Sequence, residues 1–103
     1  MSKPFLTDRL FRNAVQAAAN EFGVEADDIC SRRRSHTISL ARHAAVAALI
    51  FETQATYTDV AQRVQRDHTT VLYAVQTATQ RAVADPDFAN GLAGVMSAIR
   101  AAA

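Results

Sequence analysis

The chain has 103 residues, half of them apolar and a fifth charged, with three glycines, two prolines and one cysteine; this is one ordinary domain's length, and the composition excludes a multidomain machine, a disordered or collagen-like chain and a disulfide scaffold. The longest apolar run, Ala44 to Phe51, has eight residues, against the roughly 20 needed to cross a bilayer, so no membrane span is expected, and a lone cysteine with no charged and apolar leader makes a reducing cytoplasm the expected compartment. The net charge of +1 conceals a segregation: Cys30 to Phe51 holds Arg32, Arg33, Arg34 and Arg42 and no acid, whereas the rest carries seven basic and ten acidic residues, a basic island that marks a candidate anion-binding face.

Sparse glycine and proline and 22 alanines predict an all-α fold of five to six helices, with no strand signal and one domain over 1–103. A first helix is expected from about Thr7 to Phe22, where Leu10, Phe11, Val15, Ala18 and Phe22 recur at helical spacing and Gly23 stands ready as a left-handed cap. Val24 to Cys30 reads as a short helical turn with its acids near the start. Ser31 to Thr37 has no apolar period and is expected to be an exposed connector; Ser39 then caps a central helix from about Leu40 to Glu52, apolar nearly all round. Thr56 followed three residues later by Asp59 resembles a shortened capping box that opens a short helix through Val64. Gln65 and Arg66 make a tight turn, and Asp67 offers its carboxylate to the orphan N–H groups of a long helix to Ala84, with Val71, Leu72, Ala74, Val75 and Ala78 as its apolar stripe. Asp85 and Pro86 break the chain and start a last helix that buries Phe88, Leu92, Val95 and Ile99, with Gly91 and Gly94 either loosening it or permitting close packing. Phe5, Phe11, Phe22, Phe51 and Phe88 are assigned to core packing.

A short helix, a tight turn and a long helix make a helix-turn-helix, and Arg66, Asp67, His68, Thr69 and Thr70 crowd the start of its second helix. In that motif the tip enters the major groove of DNA and presents its first side chains to base edges. Chemically, His68 can donate to guanine N7 or O6, Asp67 can accept from cytosine N4, and Thr69 can pack its methyl on thymine. Read by itself the tip is better taken as a capped helix start with ordinary first-turn threonines and a surface histidine, His68. The loop of Arg32, Arg33 and Arg34, about 30 residues earlier, shifts the reading, because it supplies the phosphate or minor-groove anchor that a base-reading helix needs. His43 beside Arg42 is placed on a solvent or DNA face, Tyr73 faces DNA or caps the core, and Tyr57 is within reach of a phosphate.

The run DDICSRRRSHTIS…ARH…TYTDVAQRVQRDHTTVLYAVQ, from Asp27 to Gln76, resembles the C-terminal DNA-binding domain of the bacterial replication initiator DnaA. The resemblance extends over most of the chain, and its specific part is RDHTTVL preceded by the Ser-Arg-Arg-Arg-Ser loop. It implies a Trp-repressor-like helical fold that reads short A·T-leaning boxes in double-stranded DNA. By residue it makes Arg34 similar to the arginine that enters the minor groove, Asp67, His68 and Thr69 similar to the major-groove readers, and Arg42 and Thr70 similar to phosphate-contacting positions. The sequence departs from the family in lacking the phosphate-cradling GxxxxGK[ST] of its ATPase module, in Ala41 where proline is usual before the arginine, in a turn a residue shorter and without glycine, in Tyr57-Thr58 for Leu-Pro, and in Tyr73 for histidine.

The expected function is sequence-preferring DNA binding in control of replication initiation, at the nucleoid. The alternative keeps the same shape for contacts with proteins, namely the initiator or the factor that switches it off. An enzyme is not expected, since Asp67 and His68 are helix neighbours pointing about 100° apart and cannot form an oriented relay. No cofactor is expected, and no metal site from Cys30, His36 and His43, which lack ligand-pair spacing.

Overall fold

A computed structural model describes residues 2–103. Six helices follow in order: α1 (Asp8–Phe22), α2 (Ala26–Ile29), α3 (His36–Glu52), α4 (Tyr57–Val64), α5 (His68–Ala84) and α6 (Pro86–Ala102); no strand occurs among the described residues. The fold is the expected all-α arrangement with a helix-turn-helix in α4 and α5.

Local chemistry explains the boundaries. The Thr7 hydroxyl accepts the Leu10 N–H to start α1, and Gly23, at φ 68°, ends it in the left-handed region. The Thr56–Asp59 capping box has both of its hydrogen bonds. Pro86 takes the first position of α6, where its missing N–H costs nothing, and the Asp85 carboxylate accepts from the N–H groups of Asp87 and Phe88. One boundary differs from the sequence reading. The cap of α3 is Ser35, which accepts the Ile38 N–H, so the helix begins four residues before Leu40 and Ser39 lies within it. Ile38 is buried, although it lies outside the main hydrophobic cluster, so the first turn is held by tertiary contact rather than left in solvent.

α3 runs through the middle and packs against each of the other five helices. It buries Ile38, Ala41, Ala44, Ala45, Val46, Ala47, Ala48 and Leu49, and the alanines let neighbouring helices come close. α1 packs on α6, α4 packs on α5, and α5 also meets α6. Gly91 of α6 meets the Phe22 ring of α1, where a Cβ would sit 2.6 Å from Phe22 Cζ, so the close-packing reading of this glycine holds. Arg63 of α4 pairs with Asp8 and lies over the Phe11 ring, fastening the helix-turn-helix to α1. Two apolar residues depart from expectation. Phe5 precedes α1 and is 73% exposed, and Leu72 lies on the open face of α5 rather than in its buried stripe of Val71, Ala74, Val75 and Ala78. No helix among the described residues is long and apolar enough to cross a membrane.

Candidate nucleic-acid interface

The turn between α4 and α5 is built without glycine. Gln65 adopts φ 57° and donates its N–H to the Ala61 carbonyl, and the Arg66 N–H also reaches that carbonyl, at 2.9 Å. The chain thereby reverses within three residues and delivers Asp67 as the N-cap of α5. The Asp67 side chain makes no capping hydrogen bond, contrary to the expected cap role, so its carboxylate stays open to other donors. Asp67, His68, Thr69 and Thr70 are all exposed, and the first N–H groups of the helix project with them.

The three consecutive arginines divide their roles. Arg33 pairs with the Asp28 carboxylate at 3.3 Å, and its backbone N–H donates to the Ser31 hydroxyl. Arg32 and Arg34 are exposed and have no hydrogen-bond or ion-pair partner among the described residues. Arg42 reaches from α3 under the loop. Its Nε donates to the Ile29 carbonyl at 2.6 Å, and its Nη2 to the carbonyls of Asp28, Ser31 and Arg33 at 3.0, 2.9 and 3.0 Å. The Asp28 carbonyl also accepts from the Ser31 N–H and hydroxyl, so Arg42 adds to bonds already made at the end of α2. Arg66 meets the loop from the other direction, with Nη2 donating to the Ser31 carbonyl and Nη1 to the Val64 and Gln65 carbonyls. Partial burial and the guanidinium groups of Arg66 and Arg34 pull the Arg42 pKa below its ordinary value.

Two elements far apart in sequence are thus joined on one surface. A concavity of about 400 Å³ lies between α3, α5 and the loop, and Arg34, Arg42, His43, Arg66, Thr70 and Tyr73 line it. A second, of about 280 Å³, is lined by Arg32, Arg34, Gln65 and Arg66. Neither wall contains an acid. His43 is half-buried, with its ring edge-on to Tyr73 at 6.4 Å between centroids; burial first, then Arg42 and Arg81, hold its imidazole below the usual histidine range. Tyr73 is 63% exposed, so it does not cap the core. Tyr57 and the tip of α5 remain open to solvent. Among the described residues no three His, Cys, Asp or Glu side chains gather as a metal site would need; Cys30 is partly buried and His36 opens α3.

Sequence reasoning does not find Gln65 as a lining residue, and no motif signals it. Nor does it find the Ser31 carbonyl as the meeting point of two guanidinium groups, since main-chain acceptors leave no mark on residue type.

Fold and surface together define a helix-turn-helix domain with a basic loop seated beside the tip of its second helix. Residues 12–78 match the family described as the bacterial DnaA protein helix-turn-helix, and the chain belongs to that family. Among curated relatives, it is 35% identical over 86 residues to the chromosomal replication initiator protein DnaA of Magnetococcus marinus, an alignment covering 82% of this chain and 19% of that one. It is 31% identical over 90 residues to the DnaA of Chromobacterium violaceum, covering 85% of this chain and 19% of that one. The chain therefore spans about a fifth of the length of the relatives it matches.

Proposed function

We propose that the chain binds double-stranded DNA with sequence preference at DnaA-box-like sites, in the control of replication initiation at the nucleoid. The tip of α5 enters the major groove, with Asp67, His68 and Thr69 reading bases, while Arg34, assisted by Arg32, lies along the flanking minor groove or its phosphates, and Thr70 takes a phosphate. The observation that carries this reading is the Arg66 guanidinium, which bonds at once to the helix-turn-helix turn and to the Ser31 carbonyl of the arginine loop and so sets the two anionic-ligand elements side by side. Tyr73 and His43 line the adjoining concavity, and Arg33 serves the loop through Asp28.

The test is fluorescence anisotropy with an A·T-leaning box and a scrambled duplex at stated salt. The wild-type chain is expected to prefer the box. His68→Ala lowers that preference by about 1–3 kcal/mol, the worth of a base contact, with little change on scrambled duplex. Arg34→Ala weakens both and flattens the dependence of log affinity on log salt by about 0.9 for each phosphate that the variant no longer neutralises. Equal binding of box and scrambled duplex by the wild type at low salt defeats the proposal.

One observation favours a second reading. Arg42 and Arg66 turn inward to carbonyls, which leaves fewer phosphate anchors and suits a domain that contacts the initiator or its inactivating factor. Co-elution with either purified protein in the absence of DNA distinguishes it.

A further inference from the structure

The DNA-binding reading requires two elements to hold a fixed separation, and the hydrogen bonds around Ser31 are what holds it. Its carbonyl accepts from Arg42 Nη2 on α3 and from Arg66 Nη2 in the α4–α5 turn. Each guanidinium makes further bonds as well: the same Arg42 Nη2 also faces the Asp28 and Arg33 carbonyls while its Nε donates to Ile29, and Arg66 donates through Nη1 to Val64 and Gln65. All these acceptors are main-chain oxygens, so the two cations lie close together without a carboxylate to compensate them. Arg32 and Arg34 of the same loop keep their guanidinium groups outward.

We infer that Arg42 and Arg66 are positioning residues: gripping one carbonyl from two elements, they set the span between Arg34 and the tip of α5, and so the number of base pairs allowed between the two parts of the DNA site. The inference rests on the DNA-binding reading. It follows that charge alone cannot replace either residue. A planar fork serves several carbonyls at fixed angles, whereas a lysine offers a single ammonium, which keeps the surface positive but releases the loop. A phosphate-contacting arginine behaves oppositely, because lysine retains the contact and its counterion release.

The experiment uses the full chain and the duplex that the wild type selects from a random pool, the same duplex with one base pair inserted between the A·T flank and the core, and a scrambled duplex, each across a salt series. Arg66→Lys and Arg42→Lys are compared with the wild type, and circular dichroism and thermal melting establish that each folds. The wild type is expected to lose at least tenfold in affinity on the insertion. In either lysine variant that penalty falls to about twofold and preference over scrambled duplex drops at least tenfold, while affinity for scrambled duplex and the salt slope stay unchanged. Lysine variants that keep the insertion penalty, or that change the salt slope, overturn the clamp while leaving DNA reading intact. If one variant unfolds the other decides, and loss of the fold in both overturns the inference, since the pair then holds the domain rather than the span. A wild type that selects no site overturns the DNA-binding reading and the clamp together.

Discussion

His43 shows how strongly one residue can feel this surface. It is half-buried on α3, faces Tyr73, and has Arg42 and Arg81 as the cations that disfavour its charged form. Its pKa is depressed in the folded chain, so between that value and the ordinary unfolded value of about 6.5 the unfolded chain binds more protons. Stability is fully present above about pH 6.5 and declines as pH falls through the folded value. In urea titrations from neutral into mildly acid pH the midpoint of the wild type is expected to fall, and His43→Gln to flatten that part of the curve. Asp8, held low by its hydrogen bond to Arg63, keeps its own contribution until more acid conditions, so the two limbs separate and the His43 variant leaves the lower one unchanged.

At the scale of elements, the turn carries a local cost. Gln65 sits at φ 57°, where a residue with a Cβ is disfavoured by roughly 1–2 kcal/mol. Gln65→Gly relieves that strain against about 0.5–1 kcal/mol of added chain entropy in the unfolded state, so a net gain of about 0.5 kcal/mol is expected in the urea midpoint. The capping box of α4, the glycine cap of α1 and the Asp85-Pro86 start of α6 are all legible in the sequence, because each is a local hydrogen-bond arrangement written within a single turn. The start of α3 is not. His36, Thr37 and Ile38 are poor helix formers with no apolar period, and tertiary burial of Ile38 decides what propensity cannot. Leu72 marks the same limit on α5: its spacing permits burial, but the helix faces solvent there.

Across the whole molecule, the seam between α1 and α6 is one place where added volume meets a packed neighbour. Gly91→Ala drives a Cβ to within 2.6 Å of the Phe22 ring, which is itself packed on Phe88 at 5.7 Å between centroids. Overpacking of this kind costs about 1–3 kcal/mol, offset by about 1 kcal/mol from the better helix propensity of alanine, and a net loss of up to about 2 kcal/mol is expected in thermal melts. Gly94→Ala meets only the end of the Glu21 side chain, which can swing away, so it is expected to stay within about 1 kcal/mol of the wild type. The helical core and the cluster at the tip of α5 can be read from the chain because apolar spacing and side-chain chemistry are properties of residue type. Arg42 shows where such reading stops. Its place beside the arginine loop suggests an outward cation, yet the carbonyls it serves at Asp28, Ile29, Ser31 and Arg33 belong to every sequence alike.

The alanines buried along α3 have a consequence for how closely the helices lie. Five of the eight residues that this helix buries are alanine, so it works as a shim whose thickness is that of a single methyl group. A bulkier residue at Ala44 or Ala48, both fully buried, must push neighbouring helices apart. Added volume is therefore felt at positions that themselves contribute only a methyl group.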